Sequence, residues 1–318
     1  MKQSIDKWKS RSLIYLLVCV FSIFVICDRF VNARQVVNNC RPQIVIPASS
    51  NVNVSIQNRT CSREKFTTTR SKALKELAKA NVVYLGETHD RTQDRQLQLE
   101  IIQELQKRTP QIAIAMEMFQ IPYQDAIDGY LAGNLSEQEL IEQSEYEQRW
   151  GYSWESYAPI LRFAKKKQLR VLALNTPSEI TRQVAKEGLD SLTPQQRKII
   201  PPTSEIRTDN DAYRQMLAKT FAQHQHASHG NSSRFDRFFL AQVLWDETMA
   251  AEIAKFVKAN HKHQVVVIAG QGHIIYGYGI PSRVARRMPQ QFLQFSVLLS
   301  SPEEVTNSPQ PIADYIWQ

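Results

Sequence analysis

Four short segments concentrate the residue types that do chemistry. They read Gly86-Glu87-Thr88-His89-Asp90, Glu117-Met118-Phe119, Asn175-Thr176-Pro177 and Gly270-Gln271-Gly272-His273. Together they offer two imidazoles, two glutamates, an aspartate and two amides, with glycines that let a ligand approach the backbone closely. Glu87, His89, Glu117 and His273 are ligand types for a divalent metal, and a glutamate beside such a metal acts as general base toward its bound water. The corresponding reaction is metal-dependent hydrolysis. Polar residues also end strands for reasons of turn and cap formation alone, so one such segment would say little. Four of them point to one shared site.

The elements that position these residues are legible as a pattern. Apolar runs at residues 81–86, 111–116, 169–175, 264–270 and 292–299 are rich in Val, Ile and Leu and lack polar alternation, which predicts strands buried on both faces. Helical periodicity predicts helices at 94–107, 123–131, 136–143, 156–167, 177–186 and 234–260. Such alternation predicts an α/β fold: a mainly parallel central sheet covered by helices, with a helical insertion between the third and fourth strands. Ligands of open α/β sheets bind beyond the carboxyl ends of the strands, where all four segments fall. His89 and His273 are therefore expected in one site, at the ends of neighbouring strands.

Other residues carry two readings each. Gln242 and Asp246 lie four apart on the 234–260 helix, beside Trp245 and Met249. Either Asp246 orients His89 or His273 as an outer carboxylate, or this face is a solvated stripe. Trp150, Trp154 and Tyr157 offer flat surfaces for a ligand, or else core and subunit packing. His224, His226 and His229 precede Gly-Asn-Ser-Ser and read as a polar surface loop.

The chain of 318 residues is 42% hydrophobic and 22% charged, the composition of an ordinary globular protein. Its net charge of +8 suits an anionic ligand. No basic stripe interleaved with aromatics is present, which argues against nucleic acid as a partner. No GxGxxG follows a strand and no GKS/T occurs, so a nucleotide loop is not expected.

Residues 1–33 read as a signal peptide: Lys2, Lys7, Lys9 and Arg11, then the apolar run 13–27, then Val31-Asn32-Ala33. The run is shorter than the ~20 residues of a spanning helix. The mature chain is expected to begin at Arg34, which N-terminal sequencing of the exported protein checks. A product retaining residues 13–27 would show an uncleaved anchor instead. Residues 34–70 form a polar extension with room for one short strand near Ile44–Ile46, residues 71–300 the α/β domain, and residues 301–318 a tail. Cys40 and Cys61, the cysteines outside the apolar run, can pair in an oxidising compartment.

The succession VVYLGETHD, AMEMF, WGYSWESYAPIL, LALNTPSEI, FFLAQVLWDETMA and VVVIAGQGHIIYGYGIP, from about Ala80 to Leu299, resembles the ChaN-like haem-binding uptake family. That family shares a superfamily with the Tiki-type proteases, and its fold is similar to the erythromycin esterases. GETHD and GQGHIIYGYG carry most of the likeness. The resemblance implies an exported haem-binding protein of iron or haem uptake, periplasmic or associated with a membrane through its N-terminal segment. It implies a homodimer with haems face to face between subunits, and iron held by a tyrosine.

On this chain the tyrosine candidates are Tyr276 and Tyr278, with Tyr278 preferred because glycines flank it. A phenolate is a hard anionic ligand suited to ferric iron. Both tyrosines are equally well read as packing residues. His89, His273, Asp246 and Trp150 complete the implied haem-binding set, with Trp154 and Met249 as further enclosure and Arg283 as a further propionate donor. No divalent metal belongs to this reading. It belongs to the alternative, a Tiki- or esterase-like hydrolase dependent on Glu87, His89, Glu117 and His273, so whether the protein is an enzyme stays open. The chain departs from the family pattern after GETH, reading DRTQDRQ where many relatives carry a further histidine.

Overall fold

The computed structural model describes residues 44–46, 66–224, 232–300 and 311–317. Eight strands among them form one sheet: β1 (Ile44–Ile46), β2 (Phe66–Thr67), β3 (Val82–Glu87), β4 (Ile112–Gln120), β5 (Arg170–Asn175), β6 (Gln264–Gly270), β7 (Gln294–Leu298) and β8 (Tyr315–Trp317). The sheet order is β2-β1-β8-β7-β3-β6-β4-β5. β3 pairs in parallel with β6, from Val82↔Val265 to Glu87↔Gly270, and with β7, from Val82↔Gln294 to Gly86↔Leu298. The protein is therefore an α/β fold on a mainly parallel sheet, as the alternating pattern requires.

Every residue of β3, β4 and β6 is buried. Helices cover parallel sheets on both faces, so these strands have no solvent side on which polar residues could alternate. Each fully buried Val, Leu or Ile contributes roughly 1.5–3 kcal/mol. Within β3 the Tyr84 hydroxyl is buried too, and it donates to Gln294 Oε1 at 2.8 Å. Burial pushes that phenol well above its ordinary pKa.

Contacts divide the described chain into two compact units. One comprises described residues of Phe24–Ala115 and Glu252–Gln318. It contains α1 (Arg70–Leu77), α2 (Thr92–Arg108) and α11 (Ile280–Arg287). Gln264 ties the start of β6 to the end of α1, donating to the carbonyls of Leu77 and Ala80, each at 2.8 Å. The segment read as a tail returns to the sheet here. β8 pairs in parallel with β7 and β1 (Val297↔Tyr315, Ile44↔Tyr315), and Asp314 accepts from the backbone and hydroxyl of Ser296 at 2.8 and 2.9 Å. β1 is the short strand anticipated near residue 44, and its partner comes from the far end of the sequence.

The other unit comprises described residues of Met116–Ala251. It contains α3 (Gln124–Leu131), α4 (Glu137–Gln143), α5 (Tyr146–Arg149), α6 (Ala158–Lys167), α7 (Ser178–Glu187), α8 (Pro194–Arg197), α9 (Asp211–His224) and most of α10 (Ser232–Ala259). A capping box of Ser136 and Glu139 starts α4, and Thr193 with Gln196 does the same for α8. Gln124 supplies strand-like partners to β5: its Nε2 donates to Val171 O and its Oε1 accepts from Ala173 N–H, both at 2.8 Å. A sheet-edge strand needs such a device to avoid exposed backbone groups. Ile180, Val184, Leu192, Ile200, Ala241 and Leu244 pack as one apolar cluster.

No helix among the described residues is long and apolar enough to cross a membrane. The expected signal peptide, Cys40, Cys61, His226 and His229 lie outside the described residues.

Candidate functional site

The unit of Phe24–Ala115 and Glu252–Gln318 carries the GETHD and GQGHIIYGYG segments. Gly86 lies in close quarters: a Cβ there would lie 2.7 Å from Leu298 Cδ2, which would have to move, and 3.3 Å from the backbone of Gln271. This close approach delivers Glu87 to the end of β3, beside Gly270 at the end of β6. Glu87 is 1% exposed and both its oxygens are engaged. Oε1 meets His89 Nδ1 at 2.7 Å, and Oε2 accepts from Gln98 Nε2 at 2.6 Å. A carboxylate acceptor at Nδ1 places a proton on that nitrogen and fixes the orientation of the ring. His273 is buried in the turn Gln271–His273 that follows β6 directly. The two histidine segments thus follow the carboxyl ends of neighbouring strands that pair in parallel.

Sequence reasoning passed over Asp94 and Gln98, which organise this site from α2. Asp94 Oδ2 accepts the Thr88 N–H at 2.8 Å and the Ser300 hydroxyl at 3.1 Å, while Arg91 lies 3.5 Å from Oδ1. The signal was available. Asp94 and Gln98 sit on the stripe that buries Leu97, Ile101 and Leu105, and polar residues on a buried stripe need internal partners. They also lie within or just after the DRTQDRQ segment where the chain departs from its relatives.

Burial raises the Asp94 carboxyl above its ordinary pKa, against the opposing Thr88 N–H, Arg91 and Ser300. A carboxyl whose folded pKa is raised stabilises the fold fully below its unfolded pKa and loses that contribution as pH rises through the folded value. Wild-type thermal stability is therefore expected to fall relative to Asp94→Asn as pH rises from about 4 upward. Asn keeps an oxygen for Thr88 and Ser300 and does not titrate. Melting curves of both proteins across this range check it, and parallel curves would contradict it.

After His273 the chain turns sharply. Tyr276 sits in the left-handed region (φ 56°, ψ 6°), followed by Gly277 at φ 69°. Both tyrosine side chains are half-buried, with ring centroids 5.4 Å apart and planes inclined at 31°. Arg283, itself buried, donates to the carbonyls of Tyr278 and Gly279, and the Tyr276 N–H donates to Ile312 O at 2.7 Å. The two glycines differ in function. A Cβ on Gly277 would meet nothing within 4 Å, whereas one on Gly279 would lie 2.2 Å from the His273 carbonyl oxygen. The expectation that both leave room for a flat ligand holds for Gly277 alone, because His273 fills the space at Gly279.

Residues of the Met116–Ala251 unit stand differently from their expected places. β4 does not end before Glu117 but runs on through Met118 and Phe119 to Gln120, because those apolar side chains remain buried. Glu117 is thus a buried mid-strand residue. Asn175, the last residue of β5, donates through Nδ2 to the Glu117 carbonyl at 2.8 Å. Asp246 and Gln242 are both buried, which removes the reading of a solvated stripe. Asp246 Oδ2 accepts the Tyr213 hydroxyl at 2.6 Å, another partner that sequence reasoning missed. Trp150 is buried and lines a cavity past the ends of β4 and β5. Trp154 is a packing residue: its indole N–H donates to Glu137 at 2.8 Å, and its ring meets Tyr146 and Phe119 edge-on.

Among the described residues no group of three His, Cys, Asp or Glu side chains is disposed to hold a metal ion. The expected set Glu87, His89, Glu117 and His273 therefore lacks support as a divalent-metal centre. The bonds to His89 and Gln98 occupy both Glu87 oxygens, and Glu117 lies within its strand.

Comparison with known proteins gives a consistent picture. The family described as "Haem-binding uptake, Tiki superfamily, ChaN" matches residues 73–284. The Arabidopsis thaliana protein RETICULATA-RELATED 5, chloroplastic, is 27% identical over 264 residues, covering 78% of this chain. The chain spans only 35% of that protein's length. Among solved structures, ChaN of Campylobacter jejuni, described with cofacial haem binding, is similar with a TM-score of 0.62 and 19% identity. That likeness covers 78% of this chain and 91% of ChaN, and it establishes the shared fold. An erythromycin esterase in its open conformation is similar at a TM-score of 0.44 and 14% identity, over 72% of each chain.

Proposed function

Because this chain belongs to the haem-binding uptake family of the Tiki superfamily to which ChaN gives its name, we propose that it binds ferric haem through the phenolate of Tyr278 or Tyr276. The observation that carries this reading is the turn after His273. A non-glycine residue at positive φ costs of order 1–3 kcal/mol, and such strain collects where function requires a particular presentation. Here it leaves two phenols half-exposed and side by side, beside the open space at Gly277.

The residues present fit the group. A phenolate is a hard anionic donor suited to ferric iron. Arg283, itself buried, holds the turn by donating to the carbonyls of Tyr278 and Gly279. His273 supports the turn through the backbone packed against Gly279. Bound haem would supply the iron as cargo, and the chain's own residues bind and orient it. Two half-buried tyrosines on one turn suit a haem shared with a second copy of the chain, so a homodimer closed over haem belongs to the proposal. So do export, association with a membrane through the N-terminal segment, and a role in iron or haem uptake.

Titrating purified protein with hemin tests the reading. The expected result is a saturable change to a high-spin ferric spectrum of tyrosinate type, with haem bound in proportion to chain. A hemin spectrum unaltered by the protein would refute it.

A further inference from the structure

Past the ends of β4 and β5, the Met116–Ala251 unit holds a cavity of about 250 Å³ built wholly from its own residues. Two buried polar side chains line it with hydrogen-bonding capacity unspent. Asn175 is 5% exposed, and its Nδ2 donates to the Glu117 carbonyl. A carbonyl only accepts, so the amide's orientation is determined and the remaining atom is the acceptor Oδ1. That oxygen has no partner among the described residues, and neither has Oγ1 of Thr176, which is 1% exposed. Buried polar atoms in this condition await a donor, from water or from a ligand.

The rest of the lining states what kind of ligand. Trp150 and Trp245, both buried, supply apolar indole surface. Arg149 bridges two carboxylates, reaching Glu179 at 2.8 Å and Glu145 at 2.7 Å, which leaves one negative charge in excess. Burial opposes ionisation of Glu179, but its backbone hydrogen bond, Arg149 and Arg182 outweigh this and hold its carboxyl below the ordinary range. Arg182 donates to the carbonyl and hydroxyl of Ser178, at 3.0 and 3.2 Å, and forms no ion pair among the described residues. The lining therefore carries acidic and basic groups, an unsatisfied acceptor and apolar walls.

We propose that this cavity binds a small zwitterion of the α-amino-acid type with an apolar or aromatic side chain. Its ammonium group meets Asn175 Oδ1 and the Glu145–Glu179 carboxylates, its carboxylate meets Arg182 and the Thr176 hydroxyl, and its side chain rests on the indoles. The inference is independent of haem, and failure of either reading leaves the other standing.

Calorimetric titration of the full chain with L-phenylalanine tests it. Saturable binding is expected, with N-acetyl-L-phenylalanine and phenethylamine, which lack the ammonium and the carboxylate respectively, each at least about tenfold weaker. Arg182→Gln, at a partly exposed position and outside any ion pair among the described residues, is expected to fold normally and to weaken L-phenylalanine at least about tenfold. Thr176→Val tests the cavity floor with a side chain of similar shape and is expected to weaken binding as well. Absence of binding by the wild type up to about 10 mM overturns the proposal. So does equal binding by Arg182→Gln and wild type, or phenethylamine binding as tightly as L-phenylalanine.

Discussion

Tyr278→Phe is expected to abolish the tyrosinate haem spectrum and weaken hemin at least about 100-fold, a little under 3 kcal/mol. The substitution removes one hydroxyl from a half-buried ring and touches no backbone bond. The Tyr278 carbonyl still accepts from Arg283 and from the Ser282 hydroxyl, the latter at 3.0 Å, so the turn and the melting temperature are expected to persist. Loss of hemin binding without loss of stability therefore isolates ligation from folding. Tyr276→Phe serves as the paired measurement. If Tyr276→Phe loses the spectrum while Tyr278→Phe keeps it, the ligand is Tyr276. Unchanged hemin binding in both variants would remove tyrosine ligation altogether.

Gly279→Ala is expected to have the larger effect on stability, about 3 kcal/mol, or roughly 6–12 °C in Tm for a domain of this size. The added methyl would stand 2.2 Å from the carbonyl oxygen of His273. That oxygen is backbone, inside a buried turn, and cannot swing away as the end of a side chain would. Relief requires the His273 turn and the tyrosine turn to part, so hemin binding is expected to fall with stability. Gly277→Ala is the informative contrast. Its methyl meets no atom within 4 Å, and only the left-handed backbone at φ 69° opposes it, at a cost of about 1 kcal/mol. Thermal melts of the two variants side by side check the ranking. Equal losses would mean that the packing of Gly279 against His273 is not what holds the turn.

Much of the architecture is legible in the sequence alone. Five apolar runs became β3 to β7 within a few residues, because a strand buried on both faces must be apolar throughout and that signature is local. Helix periodicity marked α2, α3, α4, α6, α7 and α10 for the same reason. The resemblance from Ala80 to Leu299 led to the family that matches residues 73–284. Placement of His89 and His273 after neighbouring strands followed from rules about parallel sheets that need no side-chain detail.

What only the tertiary structure decided depends on partners distant in sequence. β8 was read as tail because three residues carry no periodicity of their own. They become a strand through pairing with β7 and β1, which the sequence does not place beside them. The end of β4 was set too early because Glu117 looks like a terminator, whereas burial of Met118 and Phe119 keeps the strand going. Asp94, Gln98 and Tyr213 were passed over because each acquires its role from a partner on another element or beyond a turn: Thr88 and Ser300, Glu87, and Asp246. The difference between Gly277 and Gly279 is the sharpest instance. Two glycines flanking one tyrosine are identical as sequence, and only the fold sets a carbonyl against one and open space beside the other. Composition and periodicity report what a segment does alone or with its neighbours along the chain. Contacts such as these form when chain segments far apart are packed together, and the residues that make them carry no local mark of it.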